Sequence, residues 1–366
     1  MLTHAFFFLL GLAALVAGAE ALVRGASKIA LSLGVSPLVV GLTIVAVGTS
    51  SPEVAVSVGA VINGNSDVAV GNVVGSNVMN VLLVLGIGAL IAPLAVHSQL
   101  IRQEVPIMIG ASVLLAVLIF DGRLGRLESL LLMVLLIAYM AFLVLQSRAE
   151  SKELRDEYAE VVCRAGEWDG HWAVQLLLIV VGLALLVLGS NWMVDAAVAF
   201  ARIMGVSDLV IGLTVIAIGT SMPEIAASIM AAVRGERDIA VGNVIGSNTF
   251  NILGALGLAG FVGRDGLTIA PAVLHFDLWV MVAVAVACLP VFIAGREIGR
   301  GKGLLFVGYY AAYVAYLILD AQGHDALDEY SAIMIGFVLP ITIVTLVAML
   351  IRGQKHRDVR DESPAP

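Results

Sequence analysis

The segment GLTIVAVGTSSPE at residues 41–53, followed by DVAVGNVVGSNVMN at 67–80, returns as GLTVIAIGTSMPE at 212–224 and DIAVGNVIGSNTFN at 238–251. The offset is 171 residues throughout, without a gap, and 23 of the 40 positions from Gly41 to Asn80 are identical in the second copy. Eight of the other 17 exchange valine for isoleucine. Each copy sets a carboxylate, hydroxyls and an amide into an otherwise apolar run. Such groups are costly in hydrocarbon, so finding them twice points to an ion site.

The composition supplies the hydrocarbon. Of 366 residues, 60% are hydrophobic and 13% charged, with a mean hydropathy of +1.02. Soluble domains carry about a quarter charged residues, so the chain reads as a multi-span, all-α membrane protein in contact with the lipid bilayer. The net charge is −8 and no basic cluster is present, so no nucleic acid partner is expected. Two cysteines, Cys163 and Cys288, are too few for a disulfide framework or a zinc site. The first apolar run lacks the basic start of a signal peptide. Its Gly11 and Gly18 recur as Gly182 and Gly189, so it is read as a span.

A crossing helix needs about 20 apolar residues. The pattern predicts eleven, near 3–23, 37–62, 68–93, 104–120, 127–146, 172–200, 208–233, 239–263, 276–294, 303–319 and 331–351. Residues 1–146 then form a first five-helix repeat (motif 41–80) and 172–320 a second (motif 212–251). Because five is odd, the second repeat enters the membrane from the opposite side, an inverted arrangement common in secondary transporters. Residues 147–171 are a charged connecting loop on the cytoplasmic side, a solvated connector or a short surface helix, 331–351 an extra C-terminal transmembrane helix and 352–366 a disordered cytoplasmic tail. With the N-terminus outside and the C-terminus cytoplasmic, 16 of the Lys and Arg residues lie inside and 4 outside. That agrees with the positive-inside rule.

In helical register Ala46, Thr49 and Glu53 share one face. Pro52 deprives the carbonyls near Gly48 of a partner, and a bound cation is one way to supply it. It also suits the first turn of a new half-helix, whose positive end favours ionised Glu53. The second copy repeats this with Ala217, Thr220, Ser221, Pro223 and Glu224, and the following spans add Ser76 and Asn80, then Ser247 and Asn251. Two carboxylates among hydroxyl, amide and carbonyl oxygens suit Ca²⁺, a hard cation taking six to eight oxygens. Asn72 and Asn243 read as ligand-orienting or helix-packing groups, and Asp67 and Asp238 as N-caps.

At these residues the chain resembles the cation/Ca²⁺ exchanger superfamily, in particular the prokaryotic sodium/calcium exchanger family, whose repeats carry G-T-S-x-P-E and G-N-x-x-G-S-N. The resemblance covers about residues 1–320. It implies a ten-helix core of two inverted five-helix repeats with discontinuous helices. It also implies Ca²⁺ ligands at Glu53, Glu224, Thr49 and Thr220 with the carbonyls of Ala46 and Ala217, Na⁺ ligands that add Ser50, Ser221, Ser76 and Ser247, and a central polar pair, Asn80 and Asn251. Family members often carry aspartate where this chain has Asn251. The implied protein is no enzyme and needs no cofactor. It exchanges Ca²⁺ for Na⁺ by alternating access in the plasma membrane, the inner membrane of a bacterium. Both halves of the site lie in one chain, which a monomer satisfies. A proton-coupled or K⁺-dependent Ca²⁺ antiporter and a passive cation channel stand as the alternatives.

Overall fold

The computed structural model describes residues 2–162, 171–204, 215 and 217–361. Among these, nine helices are long and apolar enough to cross a membrane, and the bent pair Pro37–Thr49 and Ser51–Ile62, turning by 41°, makes ten when counted as one broken span. The start of the expected 208–233 span lies outside the described residues. Its remainder forms the helices Ala217–Thr220 and Met222–Val233. The protein is therefore an all-α, multi-pass membrane protein. Its only strands among the described residues are two-residue pairs, Leu94–Ala95 with Glu297–Ile298 and Arg123–Leu124 with Leu267–Thr268, both antiparallel. Each joins a turn of the first half to a turn of the second.

The centre of the bundle is the helix pair Ser66–Ile91 and Arg237–Val262, whose apolar stretches are 72% and 83% buried. At the other extreme, none of the corresponding stretch of Ala326–Met349 is buried, so the last helix lies on the outside of the bundle. Gly246 explains part of the central packing: a Cβ there would stand 2.6 Å from the carbonyl oxygen of Leu42. Only glycine lets the broken helix lie so close to Arg237–Val262.

Around the site the helices are irregular in matched ways. The chain breaks at Ser50 (φ −82°, ψ 6°) and at Ser221 (φ −94°, ψ 12°), with Pro52 and Pro223 in the first turn of the helices that follow. Proline is tolerated there because its missing N–H has no helical partner to lose. Wide, five-residue-spaced turns begin at Asn80 and at Asn251. Both central helices thus loosen where they carry their third asparagine, a kind of distortion frequent at functional sites.

Of the two forms expected after residue 146, a connector or a surface helix, the helical one is found, continuous with the fifth span as Arg126–Val162. Two expectations need correction. The last helix continues as Leu339–Asp361 into the expected disordered tail. Glu, Lys and Arg are good helix formers, so a helix already nucleated in the membrane extends into charged sequence. Finally, the central helices start at Ser66 and Arg237. Asp67 and Asp238 therefore lie inside the first turn, where a carboxylate still favours the helix dipole, and are not the caps.

Two 32-residue helices, Leu2–Leu33 and Trp172–Ile203, cross in backbone contact. A Cβ on Gly11 would sit 2.7 Å from the Gly189 carbonyl oxygen, and one on Gly18 2.8 Å from that of Gly182; the reverse substitutions meet the same distances. Replacing Gly18 or Gly182 by alanine should therefore destabilise the purified protein by about 1–3 kcal/mol, seen as a lower thermal unfolding midpoint. Gly110→Ala, with nothing within 4 Å of its Cβ, should leave the midpoint unchanged or raise it.

Candidate ion-binding site

The two half-helices that follow the breaks present Glu53 and Glu224 to the interior, where both are fully buried. Each is reached by a serine of the other half. Ser221 Oγ donates to Glu53 Oε1 at 2.9 Å, and Ser50 Oγ donates to Glu224 Oε1, also at 2.9 Å. Ser221 and Ser76 hydroxyls lie 3.1 Å apart, and Ser76 Oγ reaches Glu53 Oε1 at 3.4 Å. The second oxygen of each glutamate, Oε2, is buried with no hydrogen-bond partner among the described residues. One oxygen of each carboxylate is thus without a protein donor among the described residues.

The threonines also cross between halves. Thr49 Oγ1 donates to Asn243 Oδ1 at 3.0 Å, and Thr220 Oγ1 to Asn72 Oδ1 at 3.4 Å. Asn243 Nδ2 donates to Ser228 Oγ at 3.0 Å, and Asn72 Nδ2 to Ser57 Oγ at 3.1 Å and to the Glu53 carbonyl at 3.3 Å. Asn72 and Asn243 therefore hold the threonines in place and tie helices together. The Ala46 carbonyl, at the end of the wide turn Gly41–Val45, takes the Ser50 N–H at 3.0 Å and lies 3.4 Å from Thr49 Oγ1 and 3.5 Å from Ser247 Oγ. Ala217 opens the short helix that ends at Thr220.

Asn80 and Asn251 are both fully buried. Asn251 Nδ2 donates to Asn77 Oδ1 at 3.1 Å. Asn251 Oδ1 and both polar atoms of Asn80 have no partner among the described residues. The predicted site residues are thereby gathered around the two helix breaks and the two central helices.

The proline argument is only partly met. The carbonyl of Gly48 takes the Ser51 hydroxyl at 2.7 Å, and that of Gly219 takes the Ser190 hydroxyl at 2.6 Å. Protein hydroxyls, one supplied locally and one from Trp172–Ile203, satisfy the groups that the break was expected to offer to a cation.

The sequence reading left several contributors unassigned. Ser57 and Ser228 anchor the Asn72 and Asn243 amides, and Asn77 and Asn248 bridge the central helices. All four fall on identical positions of the 171-residue offset, which was the available signal. A third buried acid, Glu104, had no such mark. Its Oε1 takes Gln99 at 3.0 Å and Gln103 at 2.8 Å, and its Oε2 takes the Tyr139 hydroxyl at 2.7 Å. Both its oxygens are supplied by protein donors, which sets it apart from Glu53 and Glu224. Among the described residues no cluster of three or more Asp, Glu, His or Cys side chains forms, so the site holds two carboxylates.

Comparison with known proteins follows this geometry. The family model described as sodium/calcium exchanger protein matches residues 3–145 and 174–319. The putative antiporter CaxA of Alkalimonas amylolytica is 40% identical over 324 residues, covering 84% of this chain and 98% of CaxA. The sodium/calcium exchanger MaX1 of Methanosarcina acetivorans is 36% identical over 340 residues, covering 84% and 97%. The inner membrane protein YrbG of Escherichia coli is 36% identical over 259 residues, covering 70% and 79%. A solved structure of the sodium-calcium exchanger NCX_Mj, soaked with 2.5 mM Na⁺ and 0.1 mM Ca²⁺, superposes with a TM-score of 0.73 at 30% identity, covering 86% of this chain and 98% of NCX_Mj. With both halves matched, the chain belongs to the sodium/calcium exchanger family and is a cation antiporter, a transporter and not an enzyme.

Proposed function

We propose that the protein exchanges Ca²⁺ for Na⁺ across the membrane by alternating access. One observation carries this reading: two fully buried glutamates, each bonded to a serine of the opposite half, each retain an oxygen without a protein partner. In a low-dielectric interior an uncompensated carboxylate costs several kcal/mol, and a cation between the pair offsets that cost. Glu53, Glu224, Thr49 and Thr220, with the Ala46 and Ala217 carbonyls, are assigned to Ca²⁺. Ser50, Ser221, Ser76 and Ser247 complete the oxygen set for Na⁺, and Asn80 and Asn251 form the central polar pair. Ca²⁺ and Na⁺ compete for these oxygens, and an unoccupied pair of carboxylates resists crossing.

The halves are read as inverted repeats, residues 1–146 and 172–320. The reciprocal contacts support this: Gly11 meets Gly189 while Gly18 meets Gly182, and Ser50 serves Glu224 while Ser221 serves Glu53. Relatives carry the words sodium/calcium exchanger and inner membrane protein in their names. The protein is accordingly placed in the plasma membrane, the inner membrane in a bacterium, with the N-terminus outside and the C-terminus in the cytoplasm.

A second reading, Ca²⁺/H⁺ exchange, has its own support in the charge count. With asparagine at 251, two glutamates are the charges of the site, and two protons on them would balance one Ca²⁺. Proteoliposomes loaded with ⁴⁵Ca²⁺ separate the two readings. An imposed Na⁺ gradient should drive flux and a pH gradient alone should not; the opposite pattern assigns the proton as coupling ion. Glu53→Gln and Glu224→Gln should each reduce Na⁺-driven flux to that of empty vesicles, and normal flux in both would refute the site assignment. Ser50→Ala and Ser221→Ala each remove one hydrogen bond to a charged group, a loss of about 1.5–3 kcal/mol. Their apparent Ca²⁺ affinities should fall by about 10- to 100-fold.

A further inference from the structure

Away from the ion site, each half carries an acid at the end of a wide turn, and the two acids are matched. The turns are Leu100–Glu104 and Val273–Asp277, 173 residues apart. Each acid accepts the hydroxyl of a tyrosine on the following span. Tyr139 donates to Glu104 Oε2 and Tyr313 to Asp277 Oδ1, both at 2.7 Å. The tyrosines stand 174 residues apart, and this small slip hides the pairing from the 171-residue register.

The surroundings of the two acids differ. In the first half the Gln103 amide bridges two acceptors: its Nε2 donates to Glu104 Oε1 and to Gln146 Oε1, each at 2.8 Å. Gln99 Nε2 gives Glu104 Oε1 a further donor at 3.0 Å. At the matching places of the second half stand Phe276 for Gln103, Ala272 for Gln99 and Asp320 for Gln146. Both acceptor ends of the bridge are kept, as Asp277 and Asp320, and both are now carboxylates. The donors between them are replaced by a phenyl ring and a methyl group. A cavity of about 290 Å³ opens there, with Ala272, His275, Phe276, Asp277, Tyr316 and Asp320 in its wall. No Lys or Arg lines it. Among the described residues, Tyr313 is the one side-chain donor to Asp277.

An occupant that completes this bridge supplies what Gln103 supplies, N–H groups directed two ways, and adds a positive charge for two carboxylates. A primary ammonium does both, with three N–H donors on one cationic nitrogen. The Phe276 and Tyr316 rings stack at 4.0 Å beside the acids, and aromatic faces attract ammonium groups. Ca²⁺ takes six to eight oxygens and is offered two carboxylates. Among the described residues no group of three or more His, Cys, Asp or Glu is placed to hold a metal ion. Asp277 and Asp320 lie near the ends of the spans Val273–Ile293 and Arg300–Gln322, within reach of lipid headgroups and of dissolved amines.

We propose that this cavity binds a primary ammonium group, held between Asp277 and Asp320 as the Gln103 amide is held between Glu104 and Gln146. The site shares no residue with the one at Glu53 and Glu224 and does not depend on which ions are exchanged.

The test follows the thermal unfolding midpoint of the purified full chain in two arms. In detergent it is titrated with ethanolamine or with choline. In nanodiscs of phosphatidylcholine the fraction of phosphatidylethanolamine is raised stepwise. The midpoint should rise saturably with ethanolamine, with phosphatidylethanolamine or with both, and choline, whose nitrogen bears no hydrogen, should not match it. A rise in the lipid arm alone names the headgroup as the source, and a rise in detergent names a free amine. Asp320→Asn, at an exposed position, should weaken the apparent affinity about tenfold or more. Phe276→Gln restores the donor of the first half and should abolish the rise. No rise in either arm, a rise that choline equals, or a rise unchanged in the variants would overturn the proposal. Where Phe276→Gln yields no folded protein, Asp320→Asn decides.

Discussion

Removing a carboxylate from water into a protein interior at membrane depth loses several kcal/mol of hydration, and returning that energy takes a counter-charge with good geometry. This chain does it twice, at Glu53 and Glu224, and among the described residues no cationic side chain pairs with either: the side-chain hydrogen bonds each receives come from serine hydroxyls. A hydroxyl relieves part of the cost and leaves the charge in place. Glu104 shows what a carboxyl stabilised for structure alone looks like, with donors on both oxygens. The remaining features of the site follow from holding two half-satisfied acids near each other.

Neither half can build the site alone, because Ser50 serves Glu224 and Ser221 serves Glu53. The donor and the acid of one half sit three residues apart, across a break in the helix, and each turns to the other half. Those breaks are affordable in lipid only where the freed carbonyls find partners, which Ser51 and Ser190 provide. Close approach of the broken helices to the central pair needs glycine at 246, and the crossing of Leu2–Leu33 with Trp172–Ile203 needs Gly11, Gly18, Gly182 and Gly189. The asparagines add polarity without adding charge. Asn72 and Asn243 lock the threonines, and Asn77 bonds both to the Asn248 carbonyl and to Asn251.

Much of this was legible in the sequence because the two copies share one register. Identity at a fixed offset picks out the polar positions that hydrophobic drift leaves alone, and Glu53, Ser50, Thr49, Ser76 and Asn80 with their counterparts are among them. The same filter marks Ser57, Asn77 and Asn248, whose roles depend on which helix faces which and so emerge only in three dimensions. Other features leave no periodic trace. The wide turns at Asn80 and Asn251 use ordinary apolar residues, and the two-residue strand pairs depend on turns meeting at the membrane faces. The helical stretch beyond 352 leaves no such mark because charge density argues for solvent exposure, which a helix extending from the membrane also satisfies.

The account turns on a cation lying between the two acids. Crystals grown with Sr²⁺ as a heavier stand-in for Ca²⁺ would show this directly in an anomalous difference map. The account predicts a peak between Glu53 and Glu224, within about 2.6 Å of an oxygen from each, and its weakening as Na⁺ is raised. A map with no peak there, or with one held by a single glutamate and indifferent to Na⁺, would contradict it.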